Sequence, residues 1–456
     1  MEKVAFKEYL GTKDFYKRAC AIALPLALQS LIQIGVNMMD IVMLGTLGER
    51  ALSASSLANQ FVSIYQICCM GIGMGATVLM SRFFGMKDLE SFKKTVTIML
   101  RLCLCFGMIF ALLTAFFPGT IMRIYTPEES VIEGGISYFF WMVPCYILLG
   151  LVIDISLAIR SVGKALVPLV CSIIGFSSNL FFNWVFIFGK LGAPRMEIKG
   201  AALGTFLARL IEAVLVCGYF FVIEGRIKYK LKDLFIKCSD LVGEYLRISI
   251  PVLISDALMA FGNSAVAIIM GHIGSEFVAA NSITTVTQQL TSVLTMGISQ
   301  AGCIVTGHTL GRGQRRQAQT EGYTFAIFGA ALGLIAGIII MIVKNPVIGL
   351  YNITDETRLI AAQLMEAIAI IVVFQSTGSI LCKGVLRGGG DTKFLMLADV
   401  LFLWIASVPL GILAGLMLKL PAFYIYICMK IDQIIKCIWC FGRLHSGKWI
   451  KAIKNS

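Results

Sequence analysis

The sequence predicts an all-α polytopic membrane protein, with twelve transmembrane helices in two similar six-helix lobes. Three observations carry that expectation. The composition is too apolar and too weakly charged for a soluble chain. Twelve apolar runs reach spanning length. The two halves repeat at an offset of 226 positions, the spacing of Pro25 and Pro251.

Of 456 residues, 58% are hydrophobic and 14% charged, with a mean hydropathy of +0.85. A soluble domain is usually about 45–50% apolar and about 25% charged. A lipid-facing surface absorbs that excess without aggregation. A helix needs about 20 apolar residues to cross the hydrocarbon core. Runs of that kind lie near 16–45, 53–83, 91–117, 131–160, 164–189, 198–223, 240–271, 279–310, 317–344, 355–386, 391–417 and 421–444. A barrel would instead alternate apolar and polar residues over short segments.

The net charge of +13 does not point to nucleic acid, because the basic residues occupy short loops and form no contiguous patch. Most of the 39 Lys and Arg residues fall in alternate segments, counted from the N-terminus. By the positive-inside rule both termini are cytoplasmic. The loop with Lys190, Arg195 and Lys199 is the one outer segment that resists the rule. The longest charged stretch, Glu224 to Asp240, divides the chain almost in half. It gives an N-terminal lobe over 1–225, a basic cytoplasmic linker over 226–239 and a C-terminal lobe over 240–456. No cleavage site precedes the first run, which is therefore a retained span. Most of the 14 cysteines lie inside apolar runs and read as small packing residues. Cys437-x-x-Cys440 has no second pair and suggests neither a metal nor a redox site.

Sliding the chain by 226 positions also matches Asn37 with Asn263, Gly45 and Gly48 with Gly271 and Gly274, Met70-Gly71-Ile72 with Met296-Gly297-Ile298, and Gly85 with Gly311. One residue of slippage later, Arg160 meets Arg387. Each half holds six runs, an even number. The halves are thus parallel repeats about an axis along the membrane normal, an arrangement that usually encloses a cleft.

Asp40 is the sharpest functional candidate. It lies five residues before Gly45, roughly 8 Å below the end of its helix at 1.5 Å per residue. An ionisable side chain within a span is functional by default. Gln29, Gln33, Asn37 and Asp40 follow helical spacing and should form one polar stripe facing the interior of the lobe. Asn179 and Asn183 are i, i+4 on the fifth run, and Thr205 opens the sixth. Interhelical packing alone would also use such residues.

The chain resembles the multidrug and toxic compound extrusion (MATE) family of cation-coupled antiporters over nearly its whole length. Four pieces carry the resemblance: Pro25 through Asp40 to the Leu44–Gly48 turn; Asn179-x-x-x-Asn183 followed by Gly200–Thr205; Arg387-Gly388-Gly389-Gly390-Asp391-Thr392-Lys393 with Trp404 and Pro409-Leu410; and the tail Arg443 to Trp449. The resemblance implies two six-helix lobes forming a V-shaped cleft. It implies export of amphiphilic, often cationic small molecules driven by inward H⁺ or Na⁺, without a cofactor. It further implies that Asp40, Asn179, Asn183 and Thr205 bind the coupling ion, and that the first helix bends at Pro25. Hard cations take oxygen ligands, which these side chains offer. The family often has a carboxylate where Asn183 stands. The loss of that charge weakens the case for sodium, whereas a lone carboxylate can still take a proton.

The second half is less informative. Asp256, five residues after Pro251, is a candidate contact for cationic substrate or a proton. The tenth run reads Phe374-Gln375-Ser376-Thr377 with no acid, so a full second cation site is not expected. Glu212 should pair with Arg209 at i, i+3. Asp154 and Asp399 have no assigned role. There is no G-x-x-x-x-G-K-[ST] loop, which leaves a secondary energy source, and no acid/base, metal or nucleophile cluster of the sort an enzyme needs. The expectation is a non-enzymatic secondary efflux transporter of the plasma (inner) membrane, monomeric, contacting lipid and small-molecule substrate but no nucleic acid. The competing reading is a flippase for a lipid-linked precursor or polysaccharide, from the same superfamily.

Overall fold

A computed structural model describes residues 13–351 and 353–452. Residues 1–12 of the expected cytoplasmic N-terminus lie outside it. Among the described residues the chain is helical and has no strand, as the length of its apolar runs predicts. The order is α1 (Lys13–Gly45), α2 (Glu49–Met86), α3 (Leu89–Phe116), a short α4 (Pro118–Tyr125), α5 (Glu129–Ser161), α6 (Leu166–Phe188) and α7 (Glu197–Gly218), then α8 (Ser239–Ile273), α9 (Ser275–Gly311), α10 (Arg315–Gly349) and α11 (Asp355–Ser379). The last third is α12 (Thr392–Phe402), α13 (Val408–Ile412), α14 (Ala422–Met429) and α15 (Ile431–His445). The chain splits into two compact units. One comprises Leu28–Met80 and Asp88–Ser249. The other runs from Ile250 onward and includes α1 up to Ala27 and the end of α2, Ser81–Lys87.

Among the described residues eleven helical stretches are long and apolar enough to cross a membrane, which makes this a multi-pass membrane protein. The twelfth expected run, 421–444, is not one helix. It breaks at Lys430, whose φ is −119° and ψ 14°, between α14 and α15. The break frees the N–H of Asp432, and the Ser407 hydroxyl accepts it at 3.0 Å while donating to Asp432 Oδ1 at 2.8 Å. A hydropathy run cannot show such a break, because the substitute partner comes from a distant helix. The π-turns at Ile380–Leu386, Leu403–Ser407 and Leu413–Met417 are likewise invisible in composition. All three lie in the second unit.

In the first unit the core packs Ala54, Ala58, Tyr65, Cys69, Cys103, Phe139 and Tyr146 from α2, α3 and α5. Tyr65 and Tyr146 meet edge to face at 5.3 Å. The basic linker packs against α3. Arg101 donates to the carbonyls of Leu234 and Ile236 at 2.7 and 2.9 Å, and Lys93 pairs with Asp233 at 3.0 Å. Partial burial acts against the charge on Asp233, but the Lys230 N–H and the Lys93 ammonium hold its carboxyl below the usual range.

In the second unit, Gly329, Gly333 and Gly337 repeat every fourth residue along α10. A Cβ on them would lie 2.7 Å from Thr377 Cα, 2.5 Å from Val373 Cα and 2.5 Å from the Ala369 carbonyl oxygen. This small-residue stripe lets two helix backbones touch, which replaces the hydrophobic driving force that lipid cannot supply. The chain's tail closes the same unit. Trp449 is fully buried and donates to Gln319 Oε1 at 2.8 Å. Arg443 donates to Asp391 at 2.7 Å, and Arg82 donates to the carbonyls of Gly389 and Lys451. Replacing Gly333 by Leu must force α10 off α11. Overpacking of this kind costs about 1–3 kcal/mol, so Gly333→Leu should lower the thermal unfolding midpoint in detergent. Gly218→Leu, where a Cβ meets nothing within 4 Å, should not.

Candidate functional site

The site grows from α6. Its Asn179 and Asn183 share one face and are buried, at 6% and 1% exposure. The Asn183 amide nitrogen donates to Asp40 Oδ1 of α1 at 2.7 Å and to Asn179 Oδ1 at 3.2 Å. Asn179 in turn donates to Thr205 Oγ1 of α7 at 3.4 Å. The four residues singled out from the sequence therefore meet in one unit, with the Asn183 amide at the centre. The other end of that amide, Oδ1, is buried without a partner among the described residues.

A second chain of polar groups runs beside the first. Arg160 of α5 donates to Gln29 Oε1. Gln29 donates to the Ser172 hydroxyl at 2.7 Å, and Ser172 to Glu212 Oε1 at 2.8 Å. Glu212 also takes Arg209 at 2.7 Å, the expected pairing. Arg209 is one turn along α7 from Thr205 and acts electrostatically on Asp40 as well. Two guanidinium groups, Arg160 and Arg209, and two carboxylates, Asp40 and Glu212, thus lie along these two chains. Arg160 and Ser172 were missed as site residues. Arg160 carried a signal, its match with Arg387 in the repeat, whereas Ser172 carried none.

The polar stripe on α1 divides. Gln29 and Asp40 join the two chains, but Gln33 and Asn37 are exposed and bond to each other at 3.4 Å. At about 100° per residue, Asp40 returns to within about 20° of Gln29, whereas Gln33 and Asn37 drift about 40° and 80° round the helix. Pro25 lies inside α1, where it removes one backbone donor. Gly297 of α9 fits against that turn: a Cβ on it would lie 2.6 Å from the Ala23 carbonyl oxygen and 2.9 Å from Ala27 N. Asp256 of α8 approaches Arg387 at 4.0 Å. Asp399 is bonded to Lys436 at 2.8 Å and to Ser255 at 2.7 Å. Asp154 lies fully buried in α5.

The MatE family model matches residues 25–185 and 251–413, two matches that begin at the repeated prolines. A probable multidrug resistance protein NorM of Thermotoga maritima is 25% identical over 452 residues, covering 98% of this chain and 96% of its own length. Multidrug resistance protein MdtK of Yersinia pseudotuberculosis is 22% identical over 400 residues, 87% of each. A crystal structure described as MATE in the bent conformation superposes with a TM-score of 0.86 at 18% identity, covering 96% of this chain and 99% of the other. An outward-facing MATE family transporter of the MOP superfamily gives 0.83 at 19%, with 96% and 99% covered. The structural likenesses establish the shared fold. The family match spans well over half of the sequence, and the chain belongs to the MatE family, the transporters whose motifs it resembles.

Proposed function

We propose that the protein is a secondary active efflux transporter that exports amphiphilic or cationic small molecules in exchange for an inward cation, and that the cation binds at Asp40. The observation that carries this reading is the state of the Asp40 carboxylate: an intramembrane acid held by one amide donor, at 2.7 Å, with no ion pair among the described residues. A charge so weakly compensated gains from taking up a cation. The multidrug resistance names of the NorM and MdtK relatives support the export of drug-like compounds.

Between the two coupling ions, the donor set favours H⁺. The Asn183 amino group, a donor, occupies the centre of the cluster, where a sodium ion would need oxygen. Only a turn of that amide, bringing its orphan Oδ1 inward, would assemble oxygens from Asp40, Asn179, Asn183 and Thr205 round a metal ion. In this reading Pro25 is the hinge of α1, and Gln33 and Asn37 are supporting polar groups on the same helix. Asp256, held only by Arg387 at 4.0 Å, serves as a contact for cationic substrate or a proton in the C-terminal half.

Asp40→Asn should insert and fold normally, yet leave cells as sensitive to cationic dyes as cells without the transporter. Full resistance in that variant would sink the coupling role. In proteoliposomes a pH gradient should drive export without sodium, and strict dependence on sodium would overturn the preference for protons. A methyl group at Gly204 would lie 2.3 Å from Asn183 Oδ1. Gly204→Ala should therefore displace the amide and cut export sharply, read as dye efflux at matched expression.

A further inference from the structure

Asp154 lies in the middle of the α2–α3–α5 packing, outside the cluster described above. Its exposure is 0%, and neither carboxyl oxygen has a hydrogen-bond partner among the described residues. Every other carboxylate discussed so far has a cation or an amide. The titratable groups near Asp154, either beside it or in contact with the Cys103 thiol, come from three helices. From α3 the Cys103 thiol approaches it. From α2 come Tyr65, whose hydroxyl is 3.7 Å from Cys103 Sγ, and Cys69, whose sulfur is 3.3 Å from Cys103 Sγ. From α8 comes Tyr245, but its hydroxyl donates to the Ile72 carbonyl at 2.9 Å. No lysine or arginine is among them. Arg160, Arg209 and Arg101 are engaged with Gln29, Glu212 and the linker. On α2, Gly73 leaves no spare room: a Cβ there would lie 3.2 Å from Asp154 Oδ1 and 2.3 Å from Leu157 Cδ1.

We propose that Asp154 is a second proton-binding site of this unit, distinct from Asp40. An ionised carboxylate there would be a buried charge without a partner, the most costly state for a polar group in a membrane protein. The neutral acid avoids that cost, and its hydroxyl needs only one acceptor, a role this proposal gives to the approaching Cys103 sulfur. A metal cation does not fit the same place. Hard ions require several oxygens, and thiols and a committed tyrosine surround this carboxyl. Proton binding at Asp154 needs no assumption about transport; only its place in a transport cycle rests on the coupling reading of Asp40.

The test is infrared spectroscopy of the full chain reconstituted in liposomes, over a pH series in H₂O and D₂O. The wild type should show a protonated-carboxyl band that persists to alkaline pH and shifts in D₂O. Asp154→Asn should lose that band, and Asp40→Asn should keep it. Identical carboxyl bands in the wild type and Asp154→Asn would overturn the assignment. Should Asp154→Asn fail to fold, Cys103→Ser supplies a stronger hydrogen-bonding partner and should move the band to lower frequency; an unmoved band in folded Cys103→Ser refutes the site. Wild-type transport by Asp40→Asn would count against the coupling reading and leave the Asp154 band a separate result.

Discussion

A carboxylate inside hydrocarbon has no water to solvate it, so its partners decide its charge. The acids of this protein form a graded series on that single constraint. Asp399 has Lys436 at 2.8 Å and a serine hydroxyl at 2.7 Å. Glu212 has Arg209 and Ser172. Asp256 has, among the described residues, a long approach from Arg387 at 4.0 Å. Asp40 has an amide donor, and Asp154 has no hydrogen-bond partner among the described residues. The well-paired acids behave as structural ties, since removing either member strands the other. The poorly paired ones gain most from an incoming cation. That order of pairing separates Asp40, the coupling residue of the proposed function, from Asp399, although both are acids within spans.

The internal repeat extends to this chemistry. With the one-residue slip that relates Arg160 to Arg387, Ser172 corresponds to Asp399 and Arg209 to Lys436. In the first half Gln29 reaches Ser172; in the second, Ser255, at the place of Gln29, reaches Asp399. Arg160 holds Gln29, and Arg387 faces Asp256, the neighbour of Ser255. Both halves thus tie the first helix of the repeat to its fifth; the fifth then meets Glu212, paired with Arg209, in the first half and Lys436 directly in the second. Only the acid has moved, from Glu212 beside its arginine to Asp399 across from its lysine.

What could be read from the sequence follows from what is local. Spans are visible because twenty apolar residues in a row have one physical meaning, and Asn179 and Asn183 share a face because four residues make about one turn. Asp40 stood out because its cost is intrinsic. The features that escaped depend on partners far along the chain. The break at Lys430 is stabilised by Ser407, the Gly329–Gly333–Gly337 stripe makes sense only against α11, and Ser172 matters only because Gln29 and Glu212 reach it. The expected stripe on α1 failed for a different reason. Spacing of four is close to a turn but not equal to it, and the error accumulates through Gln33 to Asn37 before a step of three restores Asp40.

The balance of charge beside Asp40 suggests how binding at one residue is felt by others. Arg160 and Arg209 are matched by Glu212 and Asp40. A proton on Asp40, as the proposed function has it, would cancel one carboxylate and leave this cluster with an unmatched positive charge. Arg209, which acts on both acids, then has only Glu212 to lean on, and Glu212 is bonded through Ser172 and Gln29 to Arg160. The same proton removes the reason for the Asn183 amide to point its donor at Asp40, which frees Oδ1 and Nδ2 to exchange places. Both responses pull on α1, at Gln29 and at Asp40, three turns apart on a helix that already lacks a backbone bond at Pro25. Under the proposed function, a local neutralisation would thereby become a force along one helix, the kind of force that a bend at Pro25 would need.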